Sequence, residues 1–185
     1  MSEEKDFKIE HITGKKVAAG LLPINRKQSK TMENISLKQV YFGGVTMQVP
    51  EIWEVETEEF EEFEGQGSYG IDINATGADV RSVNISYSAM PEGSDAFAEA
   101  CGTYEEIMEE EDLDANDEPI ITFKFKGYDA YGFTLTTDDG LPCFFFCADV
   151  KVGGKYKLLT ILSCAANEEE LESLVQFVQE YITLE

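Results

Sequence analysis

Two glycine pairs punctuate this chain, and each lies between runs of β-forming residues. Gln39 to Phe42 and Val45 to Val49 flank Gly43-Gly44, while Cys143 to Val152 and Lys155 to Cys164 flank Gly153-Gly154. A two-residue turn with both residues at positive φ matches the right-handed twist of paired strands, so such pairs predict tight antiparallel hairpins. A chain committed to hairpins must build a largely antiparallel sheet. Tyr69 to Ala75 and Val80 to Met90 alternate apolar and polar residues around Thr76-Gly77-Ala78-Asp79 and predict another hairpin. Ile120 to Lys126 and Ala130 to Thr137 add two strands separated by Gly127-Tyr128-Asp129. Pro50 closes the run that begins at Val45, and Trp53 follows in a short turn.

The second glycine pair also predicts a register. If Val152 faces Lys155 across the turn, Cys143 falls opposite Cys164. Counting outward from the turn places the cysteines at a non-hydrogen-bonded position, with Cα atoms about 4.5 Å apart. Phe144, Phe146, Ala148 and Val150 then share one face with Leu159 and Ile161, while Cys143, Phe145 and Cys147 share the other with Leu162 and Cys164. Both faces are apolar, which predicts a central strand pair covered on both sides. In a reducing compartment the thiols are expected to stay reduced and buried rather than form a redox switch.

Helical periodicity appears twice. Over residues 94 to 110, Ser94 is the expected N-cap, and Phe97, Cys101, Tyr104, Ile107 and Met108 form the expected apolar face, interrupted by Gly102. Near the end, Asn167 and Glu170 have capping-box spacing, and acids at 168 to 170 suit the positive end of a helix dipole. Leu171, Leu174, Val175, Val178, Tyr181 and Ile182 recur every three or four residues, so this helix is expected to lie on the sheet.

Charge divides the chain. With 37 acidic and 14 basic residues the net charge is -23, which opposes contact with phosphate backbones or anionic bilayers. Nucleic acid and membrane are therefore not expected as partners. Residues 1 to 40 nevertheless hold eight of the 14 basic residues against five acids. Residues 1–38 are read as a basic N-terminal extension, followed by one α+β domain over 39–185. The extension carries an apolar run, Ala18 to Ile24, and is expected to dock on an acidic surface of its own molecule or of a second copy, making self-association through this arm part of the reading. No apolar run reaches signal-peptide or membrane-span length, and a soluble, cytoplasmic protein is expected.

Eight glutamates lie between Glu51 and Glu64, and nine acids between Glu105 and Glu118. Such runs usually form solvated faces. In the first, Phe60 and Phe63 interrupt the charge, so Glu58, Glu59, Phe60, Glu61, Glu62 and Phe63 are the candidate contact residues for a protein partner with a basic, partly apolar surface. Other motifs fail on context. Gly65 to Gly70 spells G-x-G-x-x-G without the preceding strand and following helix that a dinucleotide site needs. Asp112 to Asp117 imitates the opening of a calcium loop, yet Asp117 and Phe123 stand where glycine and a bidentate glutamate are required. Four cysteines without C-x-x-C spacing and a lone histidine, His11, suggest no metal site, and no cofactor is expected. Serine or cysteine nucleophiles lack a histidine base in the body of the chain. The expectation is a non-enzymatic binding, adaptor or chaperone-like protein; the alternative is a small-molecule-binding protein or hydrolase using carboxylates in a cleft of the sheet.

The run from Phe42 to Pro50 with Trp53 beyond it, and the run from Gly153 to Ile161 leading into the helix that Asn167 caps, resemble the PsbP-like and Mog-type family of α/β sandwiches. That resemblance spans residues 40 to 185. It implies a mostly antiparallel sheet covered by helices, and a binding, assembly or chaperone-like role with no catalytic set to carry over.

Overall fold

The computed structural model describes residues 9–11, 35–62, 66–90, 93–110 and 119–185. Eleven strands and two helices occur among them: β1 (Ile9–His11), β2 (Leu37–Phe42), β3 (Val45–Pro50), β4 (Glu54–Glu62), β5 (Gln66–Asn74), β6 (Ser82–Ala89), α1 (Ala96–Glu110), β7 (Ile121–Phe125), β8 (Tyr128–Thr137), β9 (Pro142–Val152), β10 (Lys155–Cys164), α2 (Glu168–Tyr181) and β11 (Ile182–Leu184). The large sheet runs β1-β8-β9-β10-β6-β5-β4, with β7 also on β8, and the small sheet runs β11-β3-β2. Every pairing is antiparallel. This is the expected α+β architecture of antiparallel sheet and helices. The basic segment over residues 15 to 30 lies outside the described residues, and β1 pairs with Thr136 and Thr137 of β8.

The central strands are β9 and β10, as their two apolar faces require. Lys155 pairs with Val152, Ile161 with Phe146, and Cys164 with Cys143, the expected register throughout. One face of the pair meets α2 and the small sheet around Phe146, Leu159, Ile161, Leu174, Val45 and Met47, all at most 2 % exposed. The opposite face carries α1, whose Ala100, Tyr104 and Met108 lie over Cys147, Cys143 and Cys164. The result is three layers, with α1 outermost on one side and α2 beside the small sheet on the other.

Several local expectations are corrected. Cys143 and Cys164 are joined as a disulfide with Cα atoms 4.1 Å apart, not held as free thiols. Direct pairing brings the sulfurs within bonding reach, and Cys101 and Cys147 remain free. Asp95, not Ser94, caps α1: its carboxylate accepts from the Ala98 amide at 2.9 Å, while Asp149 of β9 accepts from the Ala96 amide at 3.1 Å. Phe97 stays half exposed at 50 %, edge-on to Tyr131, because α1 docks through its alanines instead. Asn167 caps α2 through the Glu170 amide at 3.0 Å as expected, but Glu170 returns to the Asn167 side-chain amide rather than to its backbone. Phe177, absent from the expected face, is buried against Trp53. The turn between β7 and β8 is the pair Lys126-Gly127, both at positive φ, so Tyr128 and Asp129 belong to β8.

One close approach is testable. Gly132 of β8 pairs with Phe146, and a Cβ there would stand 2.3 Å from the Phe145 carbonyl oxygen and 2.6 Å from Phe146 Cβ. Backbone cannot yield as a side-chain tip can. Gly132→Ala is expected to destabilise by about 2 to 4 kcal/mol, the upper range for overpacking. Urea unfolding of the variant tests this, and a loss under about 1 kcal/mol contradicts it.

Candidate functional site

The face that packs against the small sheet does not end with the core. Leu159, Tyr87, Tyr69 and Glu59 stand in one row across β10, β6, β5 and β4, because each is the register partner of the next. One step outward on β10, Lys157 and Lys155 occupy the same face. Over this end lies the β2–β3 turn with Tyr41 beside it. Together Tyr41, Tyr69, Tyr87, Lys155, Lys157 and Glu185 line a half-open cleft of about 420 Å³.

The cleft is held by hydrogen bonds to backbone carbonyls among four chain segments. The Tyr87 hydroxyl donates to the Gly43 carbonyl, tying β6 to the β2–β3 turn. Gly43 sits at φ 58, and a Cβ there would strike the Tyr87 hydroxyl and the Tyr69 ring, so glycine serves both the turn and the close approach. The Glu185 amide donates to the Gly44 carbonyl at 3.0 Å, and the Gly153 amide donates to the Glu185 carbonyl at 2.6 Å, which joins the two glycine-pair turns. Tyr69 stacks on Tyr87 with centroids 5.2 Å apart, and Tyr87 also meets Phe42.

The electrostatics are uneven. The Glu59 carboxylate beside Tyr69 raises the pKa of that phenol by charge repulsion and by holding its proton. Burial pushes Tyr87 up to about 12, with neighbouring phenols and Glu59 adding to the shift. A raised phenol pKa means that the folded state retains a proton that the unfolded chain loses. Its contribution to stability is therefore complete below the ordinary tyrosine pKa near 10 and is lost as pH rises through about 12. Ultraviolet titration should show a late tyrosine that disappears in Tyr87→Phe; a wild-type curve in which every tyrosine ionises near pH 10 contradicts this placement.

The acidic run expected to contact a partner forms a strand that its sequence pattern concealed. Glu58 to Glu62 lie on β4, which among the described residues is the edge of the large sheet and pairs only with β5. Phe63 and the side chains of Phe60, Glu61 and Glu62 lie outside the described residues. Glu59 adjoins the cleft through Tyr69, whereas Glu58, its neighbour on the strand, belongs to the opposite face. The G-x-G-x-x-G stretch enters β5 rather than opening a helix, and the calcium-like segment at 112 to 117 lies outside the described residues. Among the described residues no group of acids, cysteines or histidines is placed to hold a metal, and no helix is long and apolar enough to cross a membrane.

Chemically, the cleft offers aromatic faces and ammonium groups. Asp79, whose carboxyl is held below its usual range by the Arg81 guanidinium that itself lies over Trp53, sits in the β5–β6 turn and has the opposite shift from that needed by a general acid. Sequence reasoning missed Tyr41, Tyr69, Tyr87, Lys155 and Lys157 as a group. The hairpin read around residues 76 to 79 sets Ala75 against Val80 and so Tyr69 against Ser86; the observed register is shifted by one and pairs Tyr69 with Tyr87, and nothing local brings the Gly43 turn onto them. A scan against models of protein families finds no match, and a search of curated proteins finds no relative at the significance required.

Proposed function

We propose that the protein is a non-enzymatic binding or adaptor protein whose contact surface runs from the tyrosine cleft to the acidic edge strand β4. The observation that carries this reading is the register pairing of Glu59 with Tyr69, which sets Glu59 beside the aromatic cleft while Glu54, Glu56 and Glu58 line the other face of the same edge strand. A partner suited to it presents lysine and arginine toward β4 and some apolar surface toward the tyrosines. Glu54, Glu56, Glu58 and Glu59 are exposed on that edge, so their attraction acts through solvent and is screened within about 8 Å at physiological salt. The resemblance to the PsbP-like and Mog-type sandwiches belongs to the same proposal. Its support is the β2–β3 hairpin closing at Pro50 beside the buried Trp53, and the run of β10 into the helix capped by Asn167.

Affinity capture with the immobilised full chain, read by mass spectrometry, tests the proposal against an E58Q/E59Q variant. Partners of the proposed kind are basic, are lost as salt rises, and are depleted on the variant. Captured proteins held equally by both chains at high salt would overturn it.

A further inference from the structure

The charges in the cleft are unequally satisfied. Glu185 lines the cleft and accepts from the Thr46 hydroxyl at 3.4 Å, while Glu59 lies outside the lining as the register partner of Tyr69. Lys155 and Lys157 enter no ion pair among the described residues. Lys38, Lys126 and Lys151 likewise enter no ion pair among the described residues, and what sets Lys155 and Lys157 apart is that both stand on one face of one strand and line the cleft. The unsatisfied charge in this cleft is positive.

Its walls are flat. Tyr41 is 61 % exposed, while Tyr69 and Tyr87 are stacked. The Tyr87 hydroxyl is already committed to Gly43, so the tyrosines chiefly offer ring surface. Gly43, Gly44 and Gly153 add lining without side chains, where a ligand can approach backbone closely. A volume of about 420 Å³ lies within the range of small-molecule sites.

We propose that the cleft binds a small planar organic anion, an aromatic carboxylate or its chemical equivalent, with its ring against the exposed tyrosine surface and its negative group toward Lys155 and Lys157. The charge-assisted contact supplies orientation and the ring supplies buried area. Three tyrosines can also cage a quaternary ammonium ion, but such a cage needs carboxylates facing the cation. Here the lining holds one glutamate, Glu185, and two ammonium groups that would repel the cation. This site shares the tyrosine surface with the partner reading but is carried by Lys155 and Lys157, which lie outside β4, so loss of anion binding in K155Q/K157Q and loss of basic partners in E58Q/E59Q are read separately.

Titrating the full chain with 2-naphthoate and with 2-naphthylmethylammonium, followed by NMR, separates the two charge types on one ring system. The expected result is at least tenfold tighter binding of the carboxylate, with shifts centred on Tyr41, Tyr69, Tyr87 and Gly153. K155Q/K157Q changes exposed and half-exposed side chains, so its thermal midpoint should match the wild type while the carboxylate preference falls at least tenfold. Tyr41→Ala should weaken binding by about three- to tenfold, the worth of one aromatic contact. A tripeptide ending in a phenylalanine carboxylate distinguishes sources: binding tighter than naphthoate assigns the anion to a chain end, and equal or weaker binding assigns it to a free acid. Equal or tighter binding of the amine, shifts centred elsewhere, or no saturation by about 10 mM would overturn the proposal.

Discussion

Truncating Phe146 to alanine is expected to remove about 3 to 5 kcal/mol of stability, the range for deleting a large buried aromatic. Phe146 is 1 % exposed on the central strand β9, and its ring meets those of Phe123, Phe125 and Phe144 at centroid distances of 5.1, 5.0 and 5.7 Å. Three aromatic neighbours fixed to paired strands cannot collapse into the space left behind. The loss therefore combines transfer free energy with a persistent cavity, and for a chain of this size it lowers the thermal midpoint by about 10 °C. Phe97→Ala serves as the comparison, because Phe97 is half exposed and should cost about 1 kcal/mol or less. Denaturant unfolding of both variants checks the pair, and equal losses would contradict the assigned layers.

Replacing the Cys143–Cys164 disulfide with two alanines should cost roughly 3 kcal/mol, because a link between residues 21 apart restricts the unfolded chain. The folded sheet should change little, since ten register pairs already hold β9 against β10. Thiol titration under denaturing conditions provides a separate check: two reactive thiols, Cys101 and Cys147, are expected before reduction and four afterwards. Four thiols at the outset would contradict the disulfide. This bond and the cytoplasmic setting expected from the sequence make opposite demands, since structural disulfides persist in oxidising compartments. In the folded protein Cys147 should react slowly, because burial pushes its thiol pKa up to about 11.

Much of the architecture was legible wherever local chemistry decides. The hairpins at Gly43-Gly44 and Gly153-Gly154 follow from glycine's tolerance of positive φ, and all four residues have it. The two-faced pattern of Phe144 to Val150 predicted central strands because period-two alternation places successive side chains on opposite faces. The same counting placed Cys143 against Cys164. Helix α2 was readable through Asn167 and its spaced apolar residues, although Phe177 was missed because its partner, Trp53, lies far away in the chain.

What resisted reading depends on partners distant in sequence. β4 carries glutamates where apolar alternation would signal a strand, and its conformation is supported by the ladder with β5. β11 spans three residues and is a strand only because β3 offers it a free edge. The cysteines' neighbour relation was local, whereas their oxidation state depends on the compartment as well as on geometry. The tyrosine cleft brings together β2, β5, β6, β10 and Glu185, with the β2–β3 turn fastened to β6 by the Tyr87 hydroxyl. Turn chemistry and periodicity act over a few residues and can be read along the chain. The overlap of two sheets is set by burial of their facing apolar surfaces, and no local pattern encodes which turn will lie over which tyrosine.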